Sequence, residues 1–427
     1  MRKLVGEEVS SRGLGAHFRT MFLILGSMAI GLSVTACDGL LDVRLPGEIE
    51  AVDLREPGMA AMVMRGVQAD FECGFAQYTV LSGVVSRIFM DAQTVTDLIP
   101  YSQRNLSPGH SNYNVGTCTS NAGLYVPMST ARWVADNAVE LFEGFSDAEV
   151  PGRREMLARA NAYAGYSFVL FGEGWCEAAF DEGPALQPAE IFGLAEERFT
   201  RALQVAEEVN LPDVLDLALV GRARARLNMG RGADAATDAQ AVTPGFEFMA
   251  TFSGSTFRRY NRVYNYNNSI RRISVEPEWR GLEWEGVADP RVPVLDTETN
   301  GADGRTPLWI QEKYTGWDSD IRLASHDEAL LIIAESEGGQ TAVDIINQFH
   351  ERAGLPQFQS TDPAEIREHV LQERSRVLFL ESHHMGDLRR LDRFPTGGTH
   401  PVKGWEYGST TCFPMPDVER ENNPNVS

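Results

Sequence analysis

Few residues in this chain have the types and spacing that do chemistry. His383 and His384 stand side by side, with Asp387 three residues beyond His384. Adjacent residues on a helix project about 100° apart, so these two imidazoles do not converge on one ion. The HExxH spacing that puts two ligands on one helix face is absent. So are a GxSxG nucleophile elbow, a Walker phosphate loop and a GxGxxG turn. With 60 Asp and Glu side chains, some carboxylate pair always looks suggestive, so abundance does not argue for a glycosidase. Residues 300–305, "NGADGR", hold half of a calcium-loop pattern but lack its acidic ladder and distal glutamate, and read as a turn. No catalytic residue, metal site or cofactor is expected.

The remaining signal is aromatic. Trp279, Trp284, Trp309 and Trp317 fall within forty residues, beside Tyr260, Tyr264, Tyr266 and Tyr314, while Tyr101 and Tyr113 dot an earlier polar stretch. Flat rings suit the apolar faces of sugars, with nearby Asn, Arg and Asp left to bond hydroxyls. The expected ligand-binding set is Tyr101, Tyr113, Trp279, Trp284, Trp309, Tyr314 and Trp317. The competing use of each ring is to pack irregular segments onto helices.

Four cysteines, Cys73, Cys118, Cys176 and Cys412, form an even set without CxxC spacing, which favours disulfides over zinc in an exported chain. Three pairings are open to them; we favour Cys73–Cys118 with Cys176–Cys412, which pins the tail to the body. The net charge is −22. Removing residues 1–36 takes away four basic and two acidic side chains and leaves −24. So acidic a body repels nucleic acid and anionic lipid surfaces.

The elements that must position these residues are mainly helical. Helical spacing begins at Pro57–Ala69. After Pro188, residues 189–209 place Ile191, Leu194, Ala195, Phe199, Ala202, Leu203 and Ala206 at three- and four-residue steps, an amphipathic helix. Two further helical runs follow, with small residues such as Ala218 and Gly221 at crossings, a turn at Gly230 and a stop at Pro244. Such pairs resemble tetratricopeptide units. Helix returns over residues 327–353 and 363–383. The expected plan is a helical scaffold over 127–244 and 327–390, irregular ligand-facing segments over 70–126 and 245–326, and a loop tail over 391–427. Short strands are expected in "RRISV", "RVPVLDT" and "LWIQEKY".

At the N-terminus, a basic leader (Arg2, Lys3, Arg12, Arg19) precedes an apolar run from Met21 to Val34, too short to span a bilayer. Val34-Thr35-Ala36-Cys37 then resembles the lipobox of bacterial lipoproteins, which makes residues 1–36 a signal peptide and Cys37 the lipid attachment point.

"CDGLLDVRLPGEI" resembles the mature start of SusD/RagB-type nutrient-uptake lipoproteins, and "EALLIIAESEGGQTAVDIINQFHERAGLP" their late repeat helices. Glu373, Arg374, Glu381, Asp387, Leu388 and Arg390 match the family's Glu-Arg, Glu, Asp-Leu-x-Arg pattern, with Val377, Ser382 and His384 as departures. The terminal Phe413, Pro414, Pro416, Glu419, Asn423, Pro424 and Asn425 are similar to its closing signature. The resemblance implies a mainly α, tetratricopeptide-like fold in one domain over 37–427. It also implies an outer-membrane, surface-facing lipoprotein that captures oligosaccharide or peptide and passes it, as a lid, to a SusC-like TonB-dependent barrel. A protein-binding scaffold lipoprotein and a surface glycosidase are the alternatives.

Overall fold

The computed structural model describes residues 53–426; the leader, the Val34–Cys37 pattern and Cys37 itself lie outside the described residues. The first long helix, α1 (Ala60–Val85), starts just after Pro57, and a short strand β1 (Phe89–Asp91) follows it. Then come α2 (Tyr125–Gly144), α3 (Arg153–Gly174), α4 (Pro188–Val209), α5 (Pro212–Asn228) and α6 (Gly232–Gln240). Each packs on the next, giving a run of paired helices, and α6 packs in turn on α7 (His326–Glu337). α8 (Gly339–Ala353), α9 (Pro363–Val377), α10 (His384–Arg390) and the short α11 (Asp417–Asn422) follow, and shorter helical turns such as Ile99–Ser102 and Ser111–Val115 lie in the irregular segments.

Local sequence explains these boundaries. α4 opens with Pro188 in its first turn and a capping box in which Gln187 and Glu190 each bond the other's backbone. Ser325 caps α7 by accepting from Glu328 N–H at 3.2 Å, and Asp362 caps α9 by accepting from Ala364 N–H at 2.9 Å. α8 ends at Gly354, whose φ of 68° is the left-handed stop that glycine adopts without strain.

Close helix contact centres on phenylalanine rings set into glycine positions. A Cβ on Gly221 of α5 would stand 2.3 Å from the Phe199 ring of α4, and one on Gly165 of α3 2.7 Å from the same ring. The main core runs through α1–α7. A second, smaller core joins α7, α8 and α9 through Leu331, Ile345, Ile346, Phe349, Phe358, Ile366 and Val370.

Between α6 and α7 the chain forms short antiparallel pairs and no broad sheet. β3 (Ile273–Val275) pairs with β1, Phe89 opposite Val275. β2 (Glu247–Ala250) pairs with β8 (Ile321–Ser325) through a register shift at Phe248/Met249. β4 (Glu283–Trp284) pairs with β5 (Val287–Ala288), and β6 (Val294–Asn300) with β7 (Pro307–Gln311).

The fold is mainly α, with repeated helix pairs and few short strands, as the sequence implied. Three boundaries differ from expectation. α1 continues to Val85, so the irregular segment begins near residue 86 and not at 70. Gly338 and Gly339, with φ of 65° and 54°, break residues 327–353 into two helices. α9 stops at Val377, where a turn holds Leu380 and Ser382 at positive φ. Ser382 stands where the resemblance expects glycine, and its φ of 72° explains the family's preference.

The four cysteines form Cys73–Cys118 and Cys176–Cys412. The second bridge fastens the tail beside the end of α3.

Candidate ligand-binding site

Trp317 lies in the turn that leads into β8, and it is held from below rather than from the sides. Ser319 Oγ accepts from Thr315 N–H at 3.1 Å and Gly316 N–H at 2.9 Å, which closes the turn. Buried Asn261 then clamps it: its N–H donates to Trp317 O at 2.8 Å and its Nδ2 to Ser319 O at 2.8 Å. The same Asn261 accepts from Tyr264 N–H at 3.1 Å and so starts a helical turn beneath the tryptophan.

That turn carries a row of rings. Tyr260 stacks on Trp317 with centroids 5.3 Å apart and planes 23° from parallel, and Tyr264 meets Trp317 edge-on at 5.9 Å. Phe257 packs on Tyr260 at 5.6 Å, and the Arg262 guanidinium sits 3.7 Å from the centre of the Phe257 ring. Arg262 is buried and donates to Cys118 O at 2.6 Å; desolvation pushes its pKa down to about 10. Trp317 remains 39% exposed, and Ser255, Thr256, Thr315 and Asp318 are exposed in the two segments that form the patch. The arrangement is a supported aromatic surface with hydroxyl and carboxylate groups at hand. It contains no nucleophile–base pair and suits stacking on a flat, hydroxylated ligand.

The other six expected residues sit elsewhere, and four of them correct the expectation. Tyr101 and Tyr113 are completely buried: they meet each other edge-on and enclose Phe413 of the tail, with Trp175 on its other side. Tyr101 OH donates to Ala122 O at 2.9 Å, and Tyr113 OH accepts from Trp175 Nε1 at 2.9 Å while donating to Pro414 O. Tyr314 is buried, its hydroxyl donating to Leu380 O at 3.0 Å. Trp279 is nearly buried against Phe379 and His384, with its indole N–H given to Arg87 O at 3.1 Å. Each ring has spent its faces on the core, so none is a platform. Trp309 and Trp284 are half-buried and lie outside the Trp317 patch. Arg280 covers the Trp309 ring at 4.8 Å, and Trp284 packs on the second core. The resident partner of Trp317, Tyr260, was outside the expected set. The available signal was only the density of aromatic residues over 257–266, because Tyr260 and Asn261 are extended and the rings do not share one helix face.

The motif residues at 373–390 build a buried charge network. Arg224 of α5 donates to both Glu173 oxygens of α3 at 2.7 Å, and His383 Nε2 lies 2.9 Å from Arg224 Nη1 and 3.1 Å from Glu328 Oε1. Lys313 and Arg322 both reach Glu381, and Asp387 pairs with Arg374 and Arg390. Burial alone would raise the Asp387 pKa, but the two guanidiniums outweigh it and hold the carboxyl well below its ordinary value. His383 and His384 point to different partners, the second stacking edge-on to Trp279 at 4.9 Å. A groove of about 480 Å³ lies on the scaffold between α4 and α5, lined by Leu203, Glu207, Leu215, Asp216, Leu219 and Arg222, with no aromatic residue. On α8 and α9, His350, His369 and Glu373 bring ligand-type atoms within 4.8 Å of one another.

Residues 313–426 match the SusD family model. No curated protein matches the chain at a significant level. Among solved structures, it is similar to a SusD-like carbohydrate-binding protein from Bacteroides vulgatus. That match has 15% identity, covers 87% of this chain and 97% of the other, and has a TM-score of 0.63. It is similar also to a SusD homolog from Bacteroides thetaiotaomicron, at 13% identity, 89% and 98% coverage and a TM-score of 0.66. A third is surface glycan-binding protein A from the same organism, in complex with laminarihexaose, at 13% identity, 86% and 98% coverage and a TM-score of 0.65. Residues 313–426 therefore carry the sequence pattern of the SusD family, and the described residues share their fold with SusD-like structures.

Proposed function

We propose that the protein is a surface-exposed glycan-binding lipoprotein: Cys37 carries the lipid, and the Trp317–Tyr260 stack receives an oligosaccharide. The observation that carries this reading is the exposed indole face. A large ring left 39% exposed against stacked Tyr260, while its turn is fastened by four hydrogen bonds made through Ser319 and Asn261, is the geometry of a preformed stacking surface. The laminarihexaose complex of the third relative supports glycan over peptide as cargo. Among the described residues no helix is long and apolar enough to cross a membrane.

The protein performs no chemical step in this reading. It holds cargo with modest affinity and releases it to a TonB-dependent barrel of the SusC type, over which it sits as a lid. The acidic body keeps the lid off anionic headgroups, so only the tether touches the membrane. The test is co-purification: tag the C-terminus, keep Cys37, solubilise the outer membrane gently, and identify what accompanies the protein. A stoichiometric barrel is expected. Recovery of the protein alone, or with soluble partners only, overturns the lid role.

A further inference from the structure

The second core contains a convergence of ligand atoms that the glycan-binding reading does not use. His369 and Glu373 are four residues apart on α9 and therefore share one helix face, and His350 of α8 faces them. His350 Nε2 lies 3.2 Å from Glu373 Oε1 and 3.3 Å from His369 Nε2, and His369 Nε2 lies 3.7 Å from Glu373 Oε1. Ligands held at about 2.0–2.1 Å around a tetrahedral ion stand about 3.3 Å apart, so the three edges have the size of one face of such a site. All three residues are buried, His350 and Glu373 completely.

The surroundings orient the donors as a metal site requires. His350 Nδ1 is 2.6 Å from Pro356 O, which fixes the proton on Nδ1 and turns the Nε2 lone pair inward. Trp284 Nε1 donates to the same carbonyl at 3.0 Å. Phe358 stacks on His369 at 4.1 Å, with planes 8° apart, and Trp284 closes the other side at 4.5 Å. Glu373 is held by Arg291, which donates to Oε1 at 3.0 Å and also to Oε2, and Asp289 in turn holds Arg291 and Arg376. The two carboxylates and two guanidiniums balance, so the pocket carries no excess positive charge of its own. With Nδ1 protonated, His350 Nε2 and Glu373 Oε1 are two acceptors facing each other at 3.2 Å. A cation between them resolves that conflict.

We propose that His350, His369 and Glu373 bind one divalent first-row ion, Zn²⁺ foremost, with water in the fourth position. Two imidazoles and one carboxylate are a borderline-hard set that suits zinc over calcium or magnesium. The ion joins α8 to α9 and acts as a structural staple. It lies outside the Trp317 patch and needs no part in ligand capture.

The experiment uses the full mature chain, carrying no polyhistidine tag and stripped with chelator. Titration with Co²⁺ is expected to give the intense d–d absorption of a tetrahedral site at one ion per chain, displaced by one equivalent of Zn²⁺. Zn²⁺ is also expected to raise the melting temperature. His369→Gln should lose the band and the zinc-dependent shift while keeping glycan binding. A wild-type chain with no tetrahedral band overturns the proposal whatever the variant does. So does a band that survives in His369→Gln, because other histidines would then be its source. A melting temperature that responds to pH but not to Zn²⁺ would assign the gap between His350 and Glu373 to a proton.

Discussion

At the scale of single residues, an aromatic ring in an irregular segment has two uses, and burial separates them. Tyr101, Tyr113, Trp279 and Tyr314 carry polar atoms that find backbone partners inside the protein, and their faces are closed by neighbours. Trp317 alone of the expected set is exposed. Sequence supplied the aromatic density but not this division, because composition does not say which ring reaches solvent. His369 and Glu373 do stand at a helical interval on one face, whereas Phe257, Tyr260 and Tyr264 meet across an extended break at Tyr260 and Asn261 that no periodicity marks. Buried carboxylates give a pH prediction at this scale. Desolvation pushes the Glu276 pKa from 4.5 up to about 7, against a hydrogen bond from Tyr407 and the nearby charge of Arg87. The folded protein therefore keeps a proton that the unfolded chain has lost. The stability this residue contributes is full below pH 4.5 and falls as pH rises through 7. Glu276→Gln keeps an acceptor for Tyr407 and removes this dependence. Urea unfolding at pH 5 and pH 8 should show the variant gaining on the wild type by on the order of 3 kcal/mol at the higher pH. An unchanged difference would mean that Glu276 titrates normally.

At the scale of elements, the boundaries that were readable had polar faces. α4 alternates buried and exposed positions and was placed correctly. α1 was followed only to Ala69, because every residue from Phe71 to Val85 is buried and no amphipathic period survives in a helix enclosed on all sides. The break at Gly338 was missed for a different reason: two glycines continue a helical apolar pattern while adopting positive φ. The short strands near 273, 294 and 307 were visible as β-branched and aromatic runs, whereas β8 was not distinguished from its surroundings. The helix–helix contacts give the prediction at this scale. Phe199 fills the space that Gly221 and Gly165 leave, so Gly221→Val inserts branched carbons where a single Cβ already stands 2.3 Å from the ring. Denaturant unfolding should show a loss of about 1–3 kcal/mol. A neutral result would mean that α4 and α5 separate freely.

At the scale of the whole molecule, the tail is joined to the helical body by chemistry that the sequence left open among three pairings. Cys176–Cys412 closes a loop of 236 residues, and Phe413 follows directly into the ring cluster of Tyr78, Tyr101, Tyr113 and Trp175. In the chain-entropy account so long a loop contributes about 5 kcal/mol. The double substitution Cys176→Ser with Cys412→Ser should lower the melting temperature markedly and expose the tail to limited proteolysis, and an unchanged melting temperature would show that ring packing alone holds the tail. The pattern over residues 373–390 was legible as a motif because its members are ionisable at fixed spacing; their partners, Arg224, Glu173, Glu335 and Lys313, come from distant segments and were not.

Trp133 on α2 is also exposed, but Trp317 is the exposed indole backed by a stacked ring on a fastened turn, and the central question is whether that indole holds sugar. The direct measurement is calorimetric titration of the mature protein and of Trp317→Ala with a panel of oligosaccharides that includes laminarihexaose, alongside peptides of similar mass. The account predicts that at least one oligosaccharide binds, that peptides do not, and that Trp317→Ala binds at least tenfold more weakly, a loss of about 1.4 kcal/mol, with an unchanged melting temperature. Equal binding by the two proteins, or binding of peptides alone, would contradict it.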